Sequence, residues 1–76
     1  MKELVEFIVK NLVSNPDEVS IREEAKDRET VYIVHIAEED FGKIIGRSGK
    51  VATAIRTVVR TSAKKNGKHV FVKFEK

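Results

Sequence analysis

The sequence predicts an α+β fold in which helices cover one face of a three-stranded sheet. Three segments have the alternating or β-branched pattern of strands, at residues 18–24, 30–37 and 69–74. Three others have apolar residues at helical spacing, at 2–14, 38–45 and 50–65. Their order is helix, strand, strand, helix, helix, strand, and no linker, repeat or low-complexity stretch separates them. This order favours helices packed on one face of a small sheet.

The first helix is predicted over residues 2–14, and the Asn15-Pro16 dipeptide is a stop signal just beyond it. Its apolar face consists of Leu4, Val5, Ile8 and Leu12, widened by Val9 and Val13. Phe7 falls among the polar positions. It is either a single exposed aromatic or a contact for a partner.

The three strands differ in how much of them should be buried. Residues 18–24 alternate apolar and polar side chains, which predicts an edge strand, and 25–29 form a charged loop. Residues 30–37 are apolar on both faces and therefore predict a central strand, with His35 as a packed strand residue. In the last strand, Val70, Val72 and Phe74 share one face, whereas His69, Phe71 and Lys73 share the other.

The two later helices have clear boundary signals. Glu38, Glu39 and Asp40 place anions at the positive end of the second helix dipole. The third helix, predicted over 50–65, ends at Asn66-Gly67, which tolerates left-handed backbone. Its predicted core face is Val51, Ala54, Ile55, Val58, Val59 and Ser62, and its polar face is Thr53, Arg56, Thr57, Arg60 and Lys64.

Length and composition exclude several functional classes. A chain of 76 residues has one thin core and little volume for a closed catalytic cavity. It has no Cys and two His, a poor ligand set, so we expect no metal and no cofactor. Acidic and basic residues interrupt the apolar N-terminus, which excludes a signal peptide, and no run approaches a membrane span. We expect a single cytoplasmic domain over residues 1–76 that is not an enzyme.

The charges are divided unevenly along the chain. Residues 1–40 hold five Lys or Arg and eleven Asp or Glu, a net charge of −6, whereas residues 41–76 hold ten and one, a net charge of +9. Such asymmetry predicts that the second half builds a surface for a polyanion. The alternative is that these cations only solvate a helix face.

Gly46-Arg47-Ser48-Gly49 separates the second and third helices. Two Gly allow close approach of a ligand to the backbone, and the following helix offers free N–H groups to a phosphate. The alternative is an ordinary corner between two helices. A Walker A loop and a dinucleotide fingerprint are excluded, because both need Gly where this chain has Ile44.

The longer string from Ile44 to Ile55 resembles the signature of KH domains, Ile-Gly-x-x-Gly followed by a helix. The element order resembles the type II KH fold, and the resemblance covers the whole chain. A single KH domain of this size is similar to the small bacterial RNA-binding proteins of the KhpA type. One departure is Ala52, where many KH domains carry Ile, which predicts a shallower floor of the binding groove.

The resemblance implies a role for each residue of the motif. KH domains clamp about four nucleotides of single-stranded nucleic acid by their backbone. Gly46 and Gly49 would allow close approach, Arg47 and Ser48 would contact phosphates, and Lys50 would extend the positive rim. Ile44, Ile45 and Ile55 would support the groove under the bases. Arg56, Arg60 and Lys64 lie one helical turn apart and could contact further backbone.

The resemblance also implies partners. Proteins of this type are expected to bind single-stranded RNA as homodimers or with a larger KhpB-type KH protein. The family is associated with RNA chaperoning, post-transcriptional control and, in some bacteria, control of cell length and peptidoglycan. The rival hypothesis is a protein-interaction adaptor that uses its acidic first half and Phe7, with RNA binding secondary. No catalytic arrangement of His, Asp and Ser can be argued from this sequence.

Overall fold

A computed structural model describes residues 1–46 and 48–76 of the chain. Three helices and a three-stranded sheet confirm the predicted α+β fold. In chain order they are α1 (Lys2–Lys10), β1 (Ser20–Lys26), β2 (Glu29–His35), α2 (Glu38–Ile45), α3 (Lys50–Lys65) and β3 (His69–Glu75), with a short 3₁₀ turn at Pro16–Glu18.

The sheet has the strand order β1-β2-β3, which confirms β1 as an edge strand and β2 as the central strand. β1 pairs with β2 antiparallel, and β2 pairs with β3 parallel. A parallel pair needs a long crossover, and α2 with α3 provides it. The second edge of the sheet is therefore β3, which follows α3 directly.

The β1–β2 hairpin has a tighter turn than the sequence predicts. β1 runs from Ser20 to Lys26 instead of 18–24, and β2 starts at Glu29 and ends at His35 instead of 37. The predicted loop over 25–29 shrinks to Asp27 and Arg28, since Lys26 already pairs with Glu29. Asp27 adopts φ +48°, which Asp tolerates in turns better than most residues.

α1 ends at Lys10, four residues before the predicted end at Ser14. The side-chain amide of Asn11 donates a hydrogen bond to the Phe7 carbonyl oxygen at 2.7 Å, and the Leu12 N–H bonds the carbonyl of Val9 in a tightened last turn. Asn competes for backbone groups in this way and favours helix ends. Leu12 is consequently 52% exposed, so its predicted place on the apolar face is wrong.

The core lies between the helices and one face of the sheet. Ile21, Val34 and Phe74 are adjacent in register across the three strands and are all buried. On the opposite face Ile33 is also buried, as predicted for a strand that is apolar on both faces. The helices contribute Val5, Val9, Ile44, Ala52, Ile55, Val59 and Ala63 to the same cluster.

The predicted core face of α3 is rotated from the observed one. Ala52, Ile55, Val59 and Ala63 are buried, whereas Val51 and Val58 are 39% and 49% exposed. Ala54 is exposed too. The small side chains of Ala52 and Ala63 let α3 pack closely on the sheet. The stabilisation from this packing exceeds what burial of Val51 and Val58 would contribute. An apolar stripe, defined here as Val51, Ala54 and Val58, is left on the surface.

Candidate functional site

Two glycines shape the turn between α2 and α3, and both need left-handed backbone. Gly46 has φ +40° and Gly49 has φ +63°. A Cβ on Gly46 would lie 3.2 Å from the carbonyl oxygen of Lys43, tighter than ordinary contact. The sequence predicted Gly here for close approach of a ligand, and the structure adds that the turn itself requires both residues.

The N-terminus of α3 is open to a ligand on the side of this turn. Gly49 is the N-cap residue and has no side chain with which to cap the helix. Its carbonyl accepts the first helical bond, from the Thr53 N–H at 2.8 Å, and the first N–H groups of the helix have no backbone acceptor within residues 1–46 and 48–76. Ser48 and Lys50 are exposed beside them. This end of the helix can receive an anion. The predicted phosphate contact Arg47 lies outside the described residues.

A buried carboxylate holds the start of α2 in place. Asp40 is fully buried and accepts backbone N–H bonds from Ser14 at 2.9 Å and Asn15 at 3.0 Å, as well as the Asn15 side-chain amide at 3.1 Å. The bond from Ser14 contributes most to lowering the pKa of Asp40 below its ordinary value, against the opposing effect of burial. At the other end of α2, the Lys43 ammonium donates to the Ser14 hydroxyl at 2.7 Å.

The apolar residues predicted to support the groove lie beneath the turn. Ile44 and Ile55 are 2% and 3% exposed, and Ile45 is half-buried against the core. Ala52 is 1% exposed. The Ala52 side chain is therefore part of the core. It does not form the floor of an open groove, so the predicted shallower floor does not arise from it.

Arg56 occupies the free edge of β3. Its Nε donates to the Val72 carbonyl at 2.9 Å, and its guanidinium carbon lies 5.5 Å from the centre of the Phe71 ring and 5.7 Å from that of Phe74. Arg56, predicted on the polar face of α3, is half-buried at the sheet edge. Arg60 is exposed further along α3, as predicted.

The structure brings the predicted residues together in two groups along one helix. Gly46, Ser48, Gly49 and Lys50 lie at the start of α3, and Arg56 and Arg60 follow its length toward β3. No pattern in the sequence indicated that Arg56 bonds the Val72 carbonyl. Phe71 was placed on the outward face by its alternation, and it is 46% exposed, but that pattern could not reveal its contact with Arg56.

Within residues 1–46 and 48–76, no helix has the length and apolar character to cross a membrane. Within the same residues, no group of three or more His, Asp or Glu lies close enough together to hold a metal ion.

Two helices joined by Gly-x-x-Gly and packed on a mixed sheet in this order define a KH domain of the type II arrangement. The chain belongs to the family described as KhpA/KhpB, KH domain, whose family model matches residues 2–74. This confirms the resemblance seen in the sequence.

Similar proteins cover nearly the whole chain. The RNA-binding protein KhpA of Clostridium acetobutylicum is 44% identical over 72 residues, which are 95% of this chain and 96% of that protein. The RNA-binding protein KhpA of Listeria monocytogenes is 41% identical over 70 residues, 92% of each chain. Because the relatives are named as binding proteins of a non-enzymatic family, the prediction that the chain is not an enzyme is confirmed.

A solved structure supports the fold alone. A variant of Era from Aquifex aeolicus, crystallised with GDP and aluminium fluoride, matches with a TM-score of 0.62 at 19% identity. The match covers 95% of this chain, which spans 28% of the length of the Era chain.

Proposed function

We propose that the chain is an RNA-binding protein that clamps single-stranded RNA at the turn from Gly46 to Gly49. The observation that carries the proposal is the open N-terminus of α3 behind two left-handed glycines, in a family whose relatives are named RNA-binding proteins. Backbone N–H groups and the helix dipole attract phosphate, and Lys50 adds a charge at the rim. The KH clamp holds about four nucleotides in this way.

The free edge of β3 is the proposed place for the bases. The Glu75 carbonyl bonds Ile36 at 3.0 Å, toward β2, whereas the Val72 carbonyl points away from β2 to Arg56. Since backbone groups alternate in direction along a strand, Val70, Val72 and Phe74 present theirs to the open edge. The Val72 carbonyl already accepts from Arg56, so the other backbone groups of these residues and the terminal N–H groups of Arg56 are the donors and acceptors offered to base edges.

The strength of binding by one such domain is limited. Neutralising about two to four phosphates of a single strand gives a log-log salt slope of about −0.7 per phosphate. Binding is therefore weak and falls as salt rises. A second RNA-binding unit would raise the effective concentration of sites on one strand.

We propose that this second unit is another copy of the chain or a larger KhpB-type KH protein. The apolar stripe of Val51, Ala54 and Val58 supports this, because positions three and seven residues apart share one helix face and two of these side chains are exposed Val. In this role residues 1–76 act as one KH domain in the cytoplasm. RNA chaperoning, post-transcriptional control and a part in cell-length and peptidoglycan control are proposed from the family resemblance alone.

One double variant tests the clamp. Arg47→Asp with Ser48→Asp puts two anions where phosphates would bind. We expect a loss of binding to a fluorescent single-stranded RNA, measured by anisotropy at two salt concentrations. The charge-matched control is Lys2→Asp with Ser20→Asp, two exposed positions on α1 and β1. Circular dichroism checks folding. Unchanged affinity in a folded clamp variant would refute the proposal.

A second function is favoured by one observation on α1. Phe7 is 67% exposed and lies in the acidic part of the chain, so an adaptor that binds a protein partner through this surface is the alternative. Phe7→Ala separates the two functions. A clamp predicts unchanged RNA affinity in this variant, whereas an adaptor predicts loss of a protein complex isolated from cells.

A further inference from the structure

A second groove lies at the far end of α3 from the Gly-x-x-Gly turn. It has a volume of about 370 Å³ and runs between the last turns of α3 and the start of β3. We call it the distal groove, and it is lined by Glu29, Arg60, Lys64, Lys68, His69, Val70 and Phe71.

The charge of the distal groove suits a polyanion. Arg60, Lys64 and Lys68 are all exposed, and none of them forms an ion pair within residues 1–46 and 48–76. Glu29, at the start of β2, is the carboxylate among the lining residues. The three cations outnumber this one carboxylate, and a cleft with an excess of positive charge concentrates anions.

The end of α3 fixes the shape of this groove. The Gly67 N–H bonds the Lys64 carbonyl at 3.0 Å, and the Lys68 N–H bonds that of Ala63 at 2.9 Å. With Gly67 at φ +68°, this is a Schellman cap, which turns the chain sharply back toward the sheet. This cap places Lys64 in the last turn of α3 and Lys68 just before β3, at the two ends of the short connection between these elements.

Arg56 lies on α3 between the proposed clamp and the distal groove. Its guanidinium carbon stands 5.5 Å from the centre of the Phe71 ring, which lines the groove. Phe71 is 46% exposed and offers an aromatic face on which a base can stack. A strand that leaves the clamp along β3 therefore meets a stacking surface and then three cations.

Distance separates the groove from the clamp. Arg60 and Lys64 lie ten and fourteen residues after Lys50 on α3, which is about 15 to 21 Å along the helix axis. A KH clamp holds about four nucleotides of an unstacked single strand at the turn. Lys64 and Lys68 lie at or just beyond the opposite end of α3, where they are placed to meet further nucleotides of a longer strand.

We propose that the distal groove is a second RNA subsite, which binds the sugar-phosphate backbone of the same single strand beyond the four clamped nucleotides and stacks one base on Phe71. This inference rests on the proposed function. It assigns to this chain a preference for longer single strands over tetranucleotides.

The test compares how a variant that lacks two groove cations binds short and long single strands of RNA. Lys64→Gln with Lys68→Gln removes two cations from the groove, and Lys65→Gln with Lys2→Gln removes two exposed cations that do not line it. Lys65 follows Lys64 on the same helix end, so the effect on the helix dipole is matched. Binding of RNA strands of about four and about ten nucleotides is measured against salt.

We expect the groove variant to bind the longer strand about fifteenfold more weakly at about 0.15 M salt, because each neutralised phosphate is worth roughly fourfold there. Its salt slope for that strand should fall by about 1.4, and its tetranucleotide affinity should not change. Equal loss for both lengths, or no difference from the control, overturns the subsite. If the wild-type chain binds neither strand, the proposed function itself fails.

Discussion

At the scale of single residues, Asp40 decides whether α2 is held against the segment that follows α1. It is a buried anion whose stabilisation depends on donors from Ser14 and Asn15, more than twenty residues earlier in the chain. The sequence predicted Asp40 as a partner of the helix dipole. It could not predict the cross-link, because contacts between distant segments leave no trace in local spacing.

The lowered pKa of Asp40 gives a pH dependence with a definite sign. A carboxyl whose folded pKa lies below its unfolded value stabilises the fold above that ordinary value of 3.8, and the stabilisation is lost as pH falls through the folded pKa. We expect Asp40→Asn to lower Tm at neutral pH and to lose less Tm on acidification than the wild-type chain. Thermal unfolding followed by circular dichroism at several pH values measures both effects. Parallel Tm curves for the two proteins would contradict this role.

At the scale of elements, α2 holds a natural control for the glycines of the turn. A Cβ on Gly42 would have no heavy atom within 4 Å, whereas one on Gly46 would meet the Lys43 carbonyl at 3.2 Å. Gly42 lies inside the helix and Gly46 is its C-cap with φ +40°. The same substitution should therefore have opposite effects four residues apart.

We expect Gly42→Ala to stabilise the chain by up to about 1 kcal/mol, since Ala is the better helix residue. Gly46→Ala should destabilise it by about 1–2 kcal/mol, the cost of left-handed backbone with a Cβ. Urea unfolding gives both free energies. A neutral Gly46→Ala would show that the turn relaxes freely, which the crowded carbonyl argues against.

Sequence patterns predicted which segments form helices and strands better than they predicted which side of each element is buried. Strong boundary signals, such as Asn66-Gly67, placed the end of α3 correctly. The core face of α3 was wrong because the pattern weights Val above Ala, while close packing against the sheet selected Ala52 and Ala63. The residues of the proposed clamp could be named from the sequence because they are contiguous. The distal groove could not, because it needs α3 beside the free edge of β3.

At the scale of the whole molecule, opposite charges belong to different parts of the fold. The acidic residues 1–40 build α1 and the β1–β2 hairpin, and the basic residues 41–76 build most of α2, all of α3 and β3. The cations of both proposed RNA subsites come from the basic part. The surface of α1, with the exposed Phe7, lies in the acidic part and is the surface proposed for a protein partner in the alternative function.

The proposed self-association makes a prediction at this scale. Val58 is 49% exposed in the apolar stripe, so Val58→Asp should leave the fold intact while it places a charge in the interface. We expect light scattering to report a dimer for the wild-type chain and a monomer for this variant. The control is Thr57→Asp, which changes an exposed neighbour whose hydroxyl donates to the Thr53 carbonyl within the same helix. A wild-type monomer at all concentrations would contradict self-association.

The parallel pairing of β3 with β2 has a consequence for the order of folding during synthesis. β3 is the last strand to be made, and it supplies Val72 and Phe74 to the core as well as the carbonyl that Arg56 binds. α2, the Gly-x-x-Gly turn and α3 all lie within the crossover that β3 closes. Non-local strand pairing of this kind forms late. Because β3 is made after the Gly-x-x-Gly turn and α3, the strand edge proposed for the bases exists only once β3 has docked beside β2.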